Sequence, residues 1–191
     1  MIALIAGLWL FLSIHSVRML APDSRDGYIE RFGVKGWKLI HSWIAIVGLA
    51  LIVIGYGMAR EAPIVLYTPP LWTRHLAALL TLPAFVLIVA AYIPGTHMRA
   101  RIGHPMVAGV KLWALAHLLA NGTLADVLLF GSFLVWAVAN LSISRRRDRN
   151  AGVRPAEARI VRDLIALAVG AGLWVVFAMH LHAMLIGVRP F

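Results

Sequence analysis

Residues 104–122 read HPMVAGVKLWALAHLLANG. A helix on the surface of a soluble domain keeps one polar face, and this stretch has none: from Pro105 to Ala120 its only ionisable side chains are Lys111 and His117. A helix that is apolar all round belongs in the core of a large protein or in a bilayer. The rest of the chain decides for the bilayer. Six apolar segments follow one another, at roughly 2–20, 38–58, 72–92, 105–120, 124–142 and 163–187. Each approaches the ~20 residues a spanning helix needs, the fourth at the low end. The 191 residues are 61% hydrophobic and 14% charged, with mean hydropathy +0.84. Soluble domains average about 45–50% apolar and about 25% charged residues. Backbone polar groups in lipid must be satisfied within helices or closed barrels, and these segments are too long for barrel strands. The expectation is an all-α, polytopic membrane protein: a six-transmembrane-helix bundle forming a single membrane domain over residues 1–191. The first segment has no basic run before it and no small-residue cleavage site after it, so it reads as a retained span.

Charge is confined to the connections. The net charge of +10 falls between apolar segments, which argues against a nucleic-acid partner and for the lipid bilayer as the chief one. The first connection carries Arg18, Arg25, Arg31, Lys35 and Lys38; the third Arg99 and Arg101; the fifth Arg145, Arg146, Arg147, Arg149, Arg154, Arg159 and Arg162. These fourteen face Arg60, Arg74 and Arg189 on the other side. The positive-inside rule then makes the odd connections cytoplasmic and leaves both termini outside the cytoplasm. The basic loop at 144–159 reads as a solvated positive-inside loop, with anionic lipid or a partner as the sharper alternative. Between the fourth and fifth segments lies only Asn121-Gly122-Thr123. That connection predicts an antiparallel hairpin, with Gly122 ending one helix in a left-handed cap and Thr123 and Asp126 forming a capping box at the start of the next.

Chemistry rests on few side chains. There is no cysteine, so disulfides, iron–sulfur clusters, thiolate-bound metals and covalently attached c-type haem are excluded. Any metal centre must use the eight histidines and a few carboxylates. An ionisable residue inside a membrane helix is expensive and marks a functional site until a plainer role is found. His117 has Ala114 and Ala120 at i−3 and i+3, leaving a flat space beside the imidazole, with Trp113 and Asn121 at i±4. Asn121 is placed to fix a ring tautomer. His15 precedes Arg18 by one turn on the same face. That pair suits a metal-bearing macrocycle whose carboxylates reach the interface, or Arg18 snorkels beside an incidental histidine. Lys111 either snorkels or neutralises the carboxylate of a bound ligand. His104, before Pro105, reads as a helix cap. His41 lies near the cytoplasmic side, His75 begins the third segment, His97 sits in a loop, and His180 and His182 point to roughly opposite faces of a regular helix.

At these residues the sequence resembles the NnrU family of bacterial integral membrane proteins, named from nitric-oxide and denitrification gene clusters. The runs that carry it are IHSVR (14–18), VLYTPPLWTRHLA (65–77), GHPMVAGVKLWALAHLLANG (103–122) and HAMLIGVRPF (182–191). The pattern is also similar to the plant 15-cis-zeta-carotene isomerase, a membrane haem b protein. The resemblance implies a bacterial inner (cytoplasmic) membrane location and a noncovalent, bis-histidine haem b held by His15 and His117. It implies a place in nitrogen-oxide metabolism, with redox or isomerase-type haem chemistry and an apolar or small gaseous ligand. The isomerase has a cysteine three residues before its second ligand, where this chain has Ala114, so a thiol ligand exchange is not available here.

The implied ligand pair meets a difficulty of depth. His15 lies near the cytoplasmic end of the first segment and His117 near the outer end of the fourth, about 10 Å apart in depth at 1.5 Å per residue. Depth alone favours His15 with His41, or His117 with His75 or His182. Two further readings stand beside haem. One is a non-catalytic accessory, transport or proton-relay protein. The other is a membrane methyltransferase using S-adenosylmethionine, whose Arg-His-Pro-x-Tyr segment His104-Pro105-Met106 resembles, although Gly103 replaces the arginine and Val107 the tyrosine.

Overall fold

The computed structural model describes residues 1–154 and 156–190. Pro155, in the basic loop, and Phe191, which closes the matching C-terminal run, lie outside the described residues. Apart from one isolated bridge between Val65 and Thr123, regular structure among the described residues is helical. The helices are α1 (Ile2–Leu20), α2 (Pro22–Glu61), α3 (Trp72–Tyr92), α4 (His97–Ile102), α5 (Pro105–Ala120), α6 (Leu124–Asn150) and α7 (Ile160–Val176), followed by a π-helical turn (Phe177–Leu181) and α8 (His182–Ile186). Among the described residues five stretches are long and apolar enough to cross a membrane: α1, α2, α3, α6 and the run from α7 through α8. The sixth, α5, has 16 residues, about 24 Å of helix, and falls short of a full hydrocarbon core of about 30 Å. The protein is thus an all-helical, multi-pass membrane protein, and three helices differ in extent from the sequence reading. α2 starts sixteen residues earlier than the apolar run at 38, because the first connection is itself helical; it breaks direction at Gly33, whose φ of 74° and ψ of 167° suit a residue without a side chain. α6 runs on through the arginines to Asn150. The last span is interrupted by a π turn containing His180.

Burial is inverted relative to a soluble protein. Trp9, Trp43, Val53 and Val135 are more than 60% exposed, while Ala84, Ala90, Ala114, Ala116, Ala137 and Ala166 are at most 1% exposed. Large apolar side chains meet lipid, and small residues let backbones approach.

The chain divides into two compact units, residues 1–66 with 123–132 and residues 67–122 with 133–191. In the first unit α1 and α2 form an antiparallel pair held by glycines: a Cβ on Gly7 would meet the Ile52 nitrogen at 2.6 Å, one on Gly48 the Phe11 nitrogen at 2.8 Å, and one on Gly55 the carbonyl carbon of Ala3 at 2.7 Å. The amide of Leu124 donates to the Ile64 carbonyl at 2.8 Å. The capping box forms as expected: Asp126 Oδ2 accepts from the Thr123 amide at 2.9 Å, and the Asp126 amide donates to Thr123 Oγ1 at 3.2 Å. The same carboxylate, 5% exposed, also accepts from the Tyr56 hydroxyl at 2.5 Å, a partner 70 residues away that no local pattern announces. Asp126→Ala leaves the Tyr56 hydroxyl and the Thr123 amide without their acceptor. Each buried unsatisfied group costs about 1–3 kcal/mol. Thermal unfolding of the purified chain in detergent should therefore drop for Asp126→Ala by clearly more than for Tyr56→Phe, and equal drops would reduce the carboxylate's role to the one tyrosine contact.

In the second unit α3 is flanked by α5 and α7. A Cβ on Gly109 would meet the Ala84 carbonyl oxygen at 2.8 Å, and one on Gly170 the Val86 Cα at 2.6 Å. Trp174 Nε1 donates to Thr81 Oγ1 at 3.0 Å across α7 and α3. The expected hairpin of α5 with α6 is present: His104 meets Asp148, and Trp113 meets Phe133 edge-on at 5.5 Å. Gly122 does not form a left-handed cap, since it is absent from the positive-φ residues and Asn121, at φ −131° and ψ 137°, ends α5. Its small size serves a different need. A Cβ there would strike the Tyr67 carbonyl oxygen, whose own residue donates its amide to the Gly122 carbonyl at 3.1 Å and its hydroxyl to the carbonyls of Leu118 and Asn121.

Candidate functional site

His15 sits in the first unit, half-buried, on the face of α1 that meets α2. Its Nδ1 is 2.6 Å from the Phe11 carbonyl oxygen one turn back, and its ring stacks on the Phe11 ring at 4.2 Å. A carbonyl only accepts, so Nδ1 carries the proton and Nε2 holds the lone pair in the neutral ring. His41 of α2 stands edge-on to His15 at 4.9 Å between ring centroids. Trp37 follows at 5.9 Å from His41 and Tyr28 at 5.9 Å from Trp37. A file of rings thus leads from His15 to the arm of α2 that precedes Gly33. Arg18, one turn beyond His15, is exposed. A groove of ≈ 490 Å³ runs along another face of α1 past Leu8, Leu12 and Ser16, with Leu128 and Ser132 opposite, and His15 does not line it.

His117 sits in the second unit and repeats the arrangement. Its Nδ1 is 2.8 Å from the Trp113 carbonyl oxygen one turn back, and the two rings lie 5.2 Å apart. The tautomer is therefore set by Trp113 and not by Asn121, whose side-chain amide donates to the backbone carbonyl of His117 at 2.9 Å and so closes the end of the helix. Ala114 is completely buried, so the space beside the ring on that side is taken by packing. Lys111 is half-buried on α5.

The other histidines separate by their partners. His104 occupies the N-cap position of α5 but makes no side-chain cap; its Nε2 lies 2.9 Å from Asp148 Oδ2 instead. His97 is not in a loop: it opens α4 and pairs through Nδ1 with Asp163 at 2.7 Å, while Asp163 also accepts from the amides of His97 and Met98. His182 Nδ1 lies 2.6 Å from the Val188 carbonyl oxygen, and its ring meets Phe177 edge-on at 5.9 Å. His75 and His180 are exposed. Among the described residues no three histidine, aspartate or glutamate side chains gather as a metal site, so the structure offers single imidazoles on separate helices and one close pair. Sequence reading missed Phe11, although the signal was there: an aromatic residue stands four before each of His15 and His117.

The sequence profile described as NnrU protein matches residues 3–190 of this chain. No curated protein matches it, and no solved structure does. With nearly the whole length covered, the chain belongs to the NnrU family.

Proposed function

We propose that this member of the NnrU family is a haem b-binding membrane protein of nitrogen-oxide metabolism, in which His15 and His117 would hold the iron. One observation carries the reading: both histidines hold Nδ1–H on the backbone carbonyl of residue i−4, at 2.6 Å and 2.8 Å, which in the neutral ring puts the lone pair on Nε2. Engaging the far ring nitrogen in this way orients metal-bound imidazoles and raises their basicity. The donor set fits the group. Two neutral imidazoles without a thiolate suit a noncovalent haem, and Arg18 and Lys111 supply cations for its carboxylates. When bound, such a haem supplies a one-electron redox couple. The chain's own part is to hold the ring planes by the Phe11 and Trp113 carbonyls and to keep water away with apolar helices.

The deciding experiment is an absorption spectrum of the purified chain: a Soret band that shifts on reduction is expected, and a colourless, metal-free protein would transfer the reading to a non-catalytic accessory or proton-relay protein. Lys111→Met tests the carboxylate contact. A hydrogen bond to a charged group contributes about 1.5–3 kcal/mol, so haem occupancy at limiting haem should fall roughly tenfold while the chain still inserts; unchanged occupancy would return Lys111 to snorkelling.

The same reading places the chain in the bacterial inner membrane with both termini outside the cytoplasm. A cysteine introduced at Arg154 is expected to resist an impermeant thiol reagent in intact cells and to react after lysis. Labelling in intact cells would reverse the orientation.

A further inference from the structure

We propose that the far end of α6 is a binding site for the headgroup of an anionic phospholipid. Leu124–Ile143 is twenty residues of the helix, about 30 Å, one hydrocarbon thickness. The helix then continues without a break through Ser144-Arg145-Arg146-Arg147-Asp148-Arg149-Asn150, so these residues stand at the level of lipid headgroups. Three of the side chains are not aimed at the same face. Arg145 turns toward the end of α4 and donates from Nε to the Ile102 carbonyl at 3.0 Å. Asp148 is drawn inward to His104 at 2.9 Å. Ser144 is buried and donates to Asn140 at 3.0 Å.

What remains outward is a shallow cleft of ≈ 480 Å³ lined by Ile143, Arg146, Arg147, Asn150 and Ala151. At 100° per residue, Ile143 and Asn150 lie within about 20° of one another, with Arg146 and Arg147 about 60° and 40° to either side. Along the helix the order is apolar side chain, two guanidiniums, then an amide, over about 10 Å. A phospholipid presents its groups in that order: acyl chain, phosphate, polar head. Guanidinium forks match phosphate oxygens bidentately. Asp148 is a competing anion: its Oδ1 is 3.8 Å from Arg147 Nη2, and its other oxygen is held by His104. A solvated loop obeying the positive-inside rule needs charge on this side only, with no arrangement of apolar, cationic and amide groups on one face.

The test uses the full-length chain in neutral detergent, with native mass spectrometry reading the fraction that retains dioleoyl phosphatidylglycerol or dioleoyl phosphatidylcholine offered at equal concentration. An arginine near an anionic lipid surface contributes a factor of about five, so the wild type is expected to prefer phosphatidylglycerol by roughly tenfold or more. Arg146→Gln with Arg147→Gln should bring that preference close to one, with helical content by circular dichroism unchanged. Arg154→Gln, outside the cleft, should leave it intact. Three results would overturn the proposal: an unaltered preference in the double glutamine variant; full preference in the Arg146→Lys, Arg147→Lys variant, which would reduce the effect to net charge; or displacement of the lipid by millimolar inorganic phosphate, which would make this a free-phosphate site.

Discussion

Gly55→Val is expected to cost about 3 kcal/mol or more, a drop of roughly 6–12 °C in the midpoint for a chain of this size, and to give the largest stability loss of any single substitution proposed here. The reason is what the new side chain would meet. A Cβ at position 55 comes to 2.7 Å from both the Ala3 carbonyl carbon and the Leu4 Cα. These are backbone atoms of α1, and no rotamer change can move them aside. Overpacking a well-packed site costs typically about 1–3 kcal/mol, and more where the neighbour cannot yield. The relief would have to come from separating α1 and α2, which also loosens Gly7 against Ile52 and Gly48 against Phe11. The same movement would carry His15 away from His41, since both rings ride on this pair of helices. Gly57 is the internal control: it lies two residues further along α2, and a Cβ there meets nothing within 4 Å. Gly57→Ala should be neutral or stabilising by up to about 1 kcal/mol, because alanine restricts the unfolded chain more than glycine does. Thermal unfolding in detergent followed by circular dichroism measures both. Similar midpoints for Gly55→Val and Gly57→Ala would show that the α1–α2 contact is looser than described.

The second large effect concerns the proposed iron ligands. His15→Ala and His117→Ala should each abolish the low-spin haem spectrum. A six-coordinate iron with two imidazoles loses its spectrum type when either is removed, and this chain has no cysteine to substitute. His41→Ala, His75→Ala and His182→Ala should retain the wild-type Soret position. His182 is the most searching of these, because it also holds Nδ1 on a carbonyl oxygen, at 2.6 Å from Val188, yet that carbonyl lies six residues ahead and not one turn back. Haem content is read from the ratio of Soret to protein absorbance, with circular dichroism as the check on folding. Added imidazole should restore a low-spin spectrum to His117→Ala, a readout that a merely structural defect would not move. Wild-type spectra in both His15→Ala and His117→Ala would sink the assignment and favour the depth argument over the family resemblance.

The class of this protein follows from its sequence because lipid imposes one condition on every spanning segment: internal backbone hydrogen bonding under an apolar surface. That condition is local, so the limits of α1, α3 and α5 can be read directly, as can the Thr123–Asp126 capping box, which needs only residues three apart. The profile match over residues 3–190 comes from the same linear pattern. Where local pattern competes with tertiary contact, sequence misleads. Gly122 looks like a left-handed cap but is small because Tyr67 passes over it. His104 looks like a cap but pairs with Asp148, 44 residues on. Asp126 looks complete as a cap, yet a buried carboxylate has acceptor capacity to spare and takes the hydroxyl of Tyr56 as well. The helical continuation of α6 past the apolar run is likewise invisible to hydropathy, because arginine is a good helix former and a poor membrane residue. Only the folded chain shows that Arg145 turns to Ile102 and Asp148 to His104 while Arg146 and Arg147 remain on the cleft face, since which way a side chain on a helix points is decided by what packs against it.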